Sequence, residues 1–177
     1  MLTLYKIKST WIVTETATGN TSEVLDGYVT ADRSYEHMTF ATREEAEAVI
    51  PTLRKRSGYD SGNYSRVYSY EVEAIEYGYA NMHGWSDVSP FEIIRVVSPK
   101  CIELRAMVAE LDEDFKPEFV PGGFAGHCKN QEKQTYKYKS CSEGVVVKAR
   151  LGKKGWKSSH GRHVLNEQPI KFYDYNF

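Results

Sequence analysis

The sequence predicts an α+β protein, with a small N-terminal α+β unit over residues 1–78 and a small antiparallel β-barrel-like unit over residues 83–177. Three observations predict it. A single clear helix signal stands in the N-terminal half, and short β-branched and aromatic runs flank it. In the C-terminal half such runs follow one another across tight turns.

In the first unit, residues 2–7 (LTLYKI) and 11–16 (WIVTET) have strand composition, and Thr18-Gly19-Asn20 is turn chemistry. Gly27 opens another extended piece, and residues 37–40, from His37 to Phe40, form a short strand candidate. Thr42 and Glu45 then make a T-x-x-E capping box, in which each side chain satisfies an orphan amide of the first helical turn. Ala46, Val49, Ile50 and Leu53 recur at helical spacing, so one face can pack on a sheet. Pro51 lacks an amide hydrogen and is expected to end or kink the helix near Ile50. Residues 56–65 read as a loop, and residues 68–77 alternate like a strand returning beside the helix.

In the second unit, residues 91–97 and 101–107 read as strands joined across Ser98-Pro99-Lys100. A long irregular stretch over 111–134 follows. A second hairpin is expected between residues 135–140 and 144–151, and a third turn at Gly152-Lys153-Lys154-Gly155. The aromatic end, PIKFYDYNF, is expected to dock as a last strand or hook.

No run of 18 apolar residues is present, so no transmembrane helix is expected. The N-terminal residues lack the continuous apolar stretch of a secretory signal. Cys101, Cys128 and Cys141 form no close pair and read as free thiols, which suits a reducing cytoplasm. The net charge of −1 hides an asymmetry. Residues 129–163 hold ten basic side chains against Glu132 and Glu143, a local charge of +8, and the remainder carries −9. A split of this size points to two parts that face different partners, or partly each other.

Several short motifs mark the second unit: Gly84-Trp85-Ser86-Asp87, Pro90-Phe91-Glu92, Arg105-Ala106-Met107, Gly155-Trp156, Gly161-Arg162 and the terminal Phe172-Tyr173-Asp174-Tyr175-Asn176-Phe177, with PGGFAGHC over 121–128. On these, residues 84–177 resemble a group of tailed-phage and prophage accessory proteins that has no assigned activity. The resemblance implies a phage origin and an accessory role in the host cytoplasm. It implies no reaction and no cofactor. Accessory phage proteins as a class often act on the host, including on antiviral defences such as CRISPR effectors.

The basic stretch is the strongest lead. Lys137 and Lys139 alternate with Tyr136 and Tyr138, so a strand there would separate lysines from tyrosines. Lys148 and Arg150 would extend the basic face across the expected hairpin. Lys133, Lys153, Lys154, Lys157 and Arg162 crowd around it, and Trp156 is placed to stack on an unpaired base. Lysine outnumbers arginine, which favours phosphate attraction over base readout. The favoured expectation is a non-catalytic protein that holds a host protein or nucleoprotein complex on this face. Direct DNA or RNA binding is the alternative, and a merely solvated lysine edge is the bland one.

Two sharper ideas are weaker. His127-Cys128, Cys141, His160 and His163 offer zinc-type ligands, but without a C-x-x-C spacing. Asp112, Glu113 and Asp114 precede the loop that carries His127, and the loop over 112–127 could serve a metal-dependent hydrolase. No nucleophile elbow or phosphate loop accompanies them, since Pro121-Gly122-Gly123 lacks the Lys-Ser/Thr of a P-loop. Trp85 and Asp87 read as a structural turn, with a buried indole and a carboxylate bonded to local amides.

Overall fold

The computed structural model describes residues 1–29, 38–56, 59–60, 63–122 and 126–176. The chain divides into two compact units, Thr3–Ile75 and Glu76–Phe177 with Met1–Leu2. Strands make up 55% of the structure and helices 9%. The fold is therefore mainly β, and the α+β class expected from the sequence is corrected.

The reason for the correction lies in strand length. β1 (Leu2–Glu15) is one strand of 14 residues where the sequence suggested two short ones. It turns at Gly19, whose φ of 70° suits glycine, and pairs antiparallel with β2 (Thr21–Tyr28). A register shift between Ser9 and Thr10 carries β1 through the polar residues that had looked like a break. β3 (Thr39–Phe40) pairs with the start of β1 and leads into α1 (Arg43–Arg56). β4 (Tyr59–Asp60) and the 14-residue β5 (Tyr64–Tyr77) complete a sheet of order β2-β1-β5-β4, with β3 on β1. His37 and, within the expected loop, residues 57–58 and 61–62 lie outside the described residues.

The helix starts as its capping residues dictate. Thr42 Oγ1 accepts from the Glu45 amide at 3.1 Å, and Glu45 Oε2 accepts from the Ala41 amide at 3.0 Å. Ala46 is fully buried against Ile7 and Val72, and Val49, Ile50 and Leu53 pack around them. Pro51 does not end the helix, which runs on to Arg56. Proline removes only its own amide from the ladder, and later turns keep theirs.

In the second unit, β6 (Tyr79–His83), β7 (Val88–Ser89), β8 (Phe91–Ser98) and β9 (Cys101–Ala106) are followed by β10 (Val108–Leu111), β11 (Phe119–Val120), β12 (His127–Cys128) and β13 (Tyr136–Lys139). β14 (Val146–Gly152), β15 (Gly155–Lys157) and β16 (Arg162–Asn166) end the series. Strands β6, β8, β9, β14, β15 and β16 close into a six-stranded barrel, sealed by antiparallel pairing of β16 with β6. Closure removes the sheet edges that would invite aggregation.

Alternation fills the barrel. Phe91, Ile93, Ile102, Leu104, Val147, Ala149 and Trp156 are buried, while Glu103, Lys148, Arg150 and Lys157 face out. In the barrel the buried Asn81 and His163 are hydrogen-bonded. Asn81 donates to the Gln168 carbonyl and accepts from the Ile170 amide at 2.9 Å, which ties the C-terminal segment to the wall.

The expected hairpin between residues 135–140 and 144–151 does not form. The chain turns at Cys141–Gly144, but β13 pairs with β10, and β14 pairs with β9. Gly144 directs this, because a Cβ there would run into the Ala106 carbonyl. The C-terminal segment docks as a hook. Phe172 bridges Val88, the Tyr173 amide donates to Gln134 Oε1 at 2.9 Å, and the Asp174 amide donates to Asp87 Oδ1 at 2.8 Å. Phe177 lies outside the described residues.

Candidate nucleic-acid interface

The expected basic residues separate into three places. Lys137 and Lys139 lie on the β10–β13 ribbon, where Lys139 reaches Glu110 at 2.8 Å. Lys129 and Lys133 flank Glu118 near the turn at Gln131–Lys133. Lys129 bonds that carboxylate at 2.8 Å and holds its pKa below the usual range, with a smaller Coulombic pull from Lys133. The remaining cations, Lys148, Arg150, Lys153, Lys154, Lys157 and Arg162, lie on the barrel wall formed by β14, β15 and β16.

On that wall the strand register decides which cations are neutralised. Lys148 sits opposite Glu103 on β9 and approaches it at 3.6 Å. Arg95 holds the same carboxylate with two bonds of 2.7 and 2.8 Å, which lowers its pKa and keeps it ionised. Two residues further along β14, Arg150 has Cys101 as its β9 neighbour and Lys157 as its β15 neighbour. Lys157 in turn pairs with Arg162 on β16, and Arg162 pairs with His83 on β6.

Arg150, Lys157 and Arg162 thus form a lateral row across three adjacent strands, all exposed. Like charges directly opposite each other destabilise a sheet. Arg150 and Lys157 have no carboxylate within ion-pair distance among the described residues. At the end of the row, burial first and Arg162 second hold the His83 pKa below 6.5.

Lys153 and Lys154 occupy the β14–β15 turn. With Arg150 and Lys157 they line a shallow cavity of about 420 Å³ whose other walls are Leu151 and the two glycines of the turn. No acidic side chain lines it.

The aromatic residue that accompanies this row is not the one the sequence suggested. Trp156 is 5% exposed, inside the barrel between Leu151 and His163 in register, so its ring has no face for a base. Trp85, expected to be buried, is 91% exposed. It lies two residues beyond His83, in the turn closed by the Gly84 amide donating to the Asp87 carbonyl. Asp87 bonds the distant Asp174 amide and not a local one. The barrel wall therefore carries three cations in a row, and a solvated indole stands two residues beyond His83, the register neighbour of Arg162.

No protein family, no curated protein and no solved structure matches the chain.

The other candidate ligands do not converge. Among the described residues no three of His, Cys, Asp and Glu are grouped to hold a metal ion. All three cysteines are free. Cys128 is buried and its thiol donates to Asn130 Oδ1 at 3.3 Å, while Asp112 Oδ1 accepts from the Asp114 amide within its own turn. Residues 123–125 of the expected hydrolase loop lie outside the described residues. His163 Nδ1 donates to the Ala80 carbonyl at 3.2 Å, which makes Nε2 the acceptor for Ser158 Oγ at 2.8 Å. No helix among the described residues is long and apolar enough to cross a membrane.

Proposed function

We propose that the barrel unit is a binding module for single-stranded nucleic acid, held by its backbone across Arg150, Lys157 and Arg162 and stacked on Trp85. The observation that carries this reading is the register-aligned row. Arg150 and Lys157, fixed side by side with Arg162 beyond them, repel one another, and a string of phosphates relieves that repulsion. An indole that stands almost wholly in water beside such a row suits an unpaired base, whose π-face any sequence offers. Lysine and arginine on a flat wall attract phosphates without reading base edges, so little sequence preference is expected.

The test is fluorescence anisotropy with labelled single- and double-stranded DNA and RNA at low and near-physiological salt. Single strands should bind more tightly than duplexes. The slope of log K against log salt should be roughly −2 for three phosphate contacts. Arg150→Ala with Lys157→Ala should abolish most of the binding. Absence of binding at low salt, or binding indifferent to that double variant, overturns the reading.

A second reading is a protein partner with an acidic surface, such as a host nucleic-acid-handling machine of the kind that phage accessory proteins as a class often act on, in the cytoplasm of an infected cell. What favours it is apolar surface beside the cations: Val145 and Val146 are 54% and 55% exposed next to Lys148. In this reading one dominant host protein is retained in a pull-down, and Val146→Asp releases it while single-strand binding is absent.

A further inference from the structure

The cavity at the β14–β15 turn differs chemically from the row it adjoins. Along the row each strand contributes one cation, with adjacent strands about 4.8 Å apart, and two of the three, Arg150 and Lys157, also line the cavity. In the cavity four cationic side chains, Arg150, Lys153, Lys154 and Lys157, surround one small space with no carboxylate to offset them. An internal phosphodiester brings a single negative charge to such a space. A terminal phosphate monoester brings about −1.5 to −2 at neutral pH and three acceptor oxygens. The monoester fits the charge density better.

Size and floor agree with that ligand. About 420 Å³ falls within the range of small-molecule sites, roughly 300–1,000 Å³, and leaves room for a terminal nucleotide beside its phosphate. Gly152 and Gly155 bracket the turn without side chains, and Gly155 has a φ of 85° that other residues rarely adopt. Nothing lies within 4 Å of where a Cβ would stand at either glycine, so the backbone there is open to an incoming phosphate. Leu151 completes the lining.

Resting on the single-strand reading above, we propose that this cavity recognises the phosphorylated end of a strand. The end seats among Lys153, Lys154, Arg150 and Lys157. The following backbone crosses the barrel wall over Arg162, and a base near the other end of the row stacks on Trp85. The protein then prefers short strands with a terminal phosphate over the interior of a long chain.

The experiment uses the full chain and short single strands of DNA and RNA with an internal fluorophore, in three forms: 5′-phosphate, 3′-phosphate, and hydroxyls at both ends. One phosphorylated form should bind at least about tenfold more tightly than the hydroxyl form, the margin expected for charge-assisted bonds. Lys153→Ala with Lys154→Ala should erase that difference, the phosphorylated form losing at least about tenfold more affinity than the hydroxyl form. Both lysines are exposed, so the variant should fold as the parent does. Equal affinity for the three forms, with salt-dependent binding intact, overturns end recognition and leaves the single-strand reading standing. Absence of binding for all three overturns both.

Discussion

Arg150 on β14 lies directly opposite Lys157 on β15, both exposed, while Lys148 two residues back on β14 faces Glu103. One strand therefore carries a neutralised cation and an opposed one on the same face. Lys157→Glu should convert the repulsive row into an attractive one, with about 0.5–1 kcal/mol gained in stability. The urea midpoint should rise as salt-dependent strand binding is lost. A midpoint that falls, with binding retained, would show that the row carries no repulsion and holds no strand.

The two tryptophans of the barrel unit should behave in opposite ways. Trp85→Ala removes a side chain that packs on almost nothing, so stability should stay within about 0.5 kcal/mol. Its binding loss should be about 1–3 kcal/mol for a stacked base. Trp156→Ala empties the barrel interior and should cost about 3–5 kcal/mol in unfolding. Denaturant titrations and strand binding on the two variants check both halves. If Trp85→Ala binds as the parent does, the indole is no platform.

The tryptophans also mark where the sequence stops being readable. Helix α1 is legible from Thr42, Glu45 and the apolar spacing behind them, because those signals act within one turn of chain. Barrel strands are legible from alternation, as in Val147, Ala149 and Leu151 against Lys148 and Arg150. Which strand pairs with which is set by distant contacts. Cys141 to Gly144 looks like a hairpin turn, yet the strands on either side go to β10 and β9. The cation row depends on that pairing, so the sequence shows its members without their alignment. Trp156 sits beside lysines, which suggests the surface, whereas the alternation of its strand places it inside with Ala149. Trp85 sits in a turn whose local chemistry suggested burial. Its exposure has no local signature, and neither has the pairing of His83 with Arg162.

Glu103 sets one limit of the row. It stands between Arg95 and Lys148, and its carboxyl is held ionised chiefly by the Arg95 hydrogen bonds. Glu103→Gln removes that negative charge and leaves Lys148 to act with Arg150. Strand affinity at low salt should rise severalfold and the salt slope should steepen by about 0.7, one further phosphate contact. Anisotropy across a salt series reads both quantities. A fall in affinity would mean that Glu103 organises the site and does not oppose it.

His163 links the barrel interior to pH. Its ring is buried edge-on to Phe91 at 5.2 Å, with both nitrogens bonded to neutral partners, the Ala80 carbonyl and Ser158 Oγ. Burial lowers its pKa below 6.5, the Ala80 carbonyl opposes that shift, and His160 and His83 add a further Coulombic lowering. With the folded pKa below the unfolded one, the unfolded chain binds more protons as the solution becomes acid. This contribution to stability is complete above pH 6.5 and is lost as pH falls through the folded value. The urea midpoint should hold steady above that pH and decline below it. His163→Gln should lower stability at every pH, through lost packing, and reduce the acid decline. His83→Gln separates the two rings, since burial and Arg162 also hold His83 low, so that ring adds an acid decline of its own. An acid decline of undiminished slope in His163→Gln would assign the proton uptake to another group.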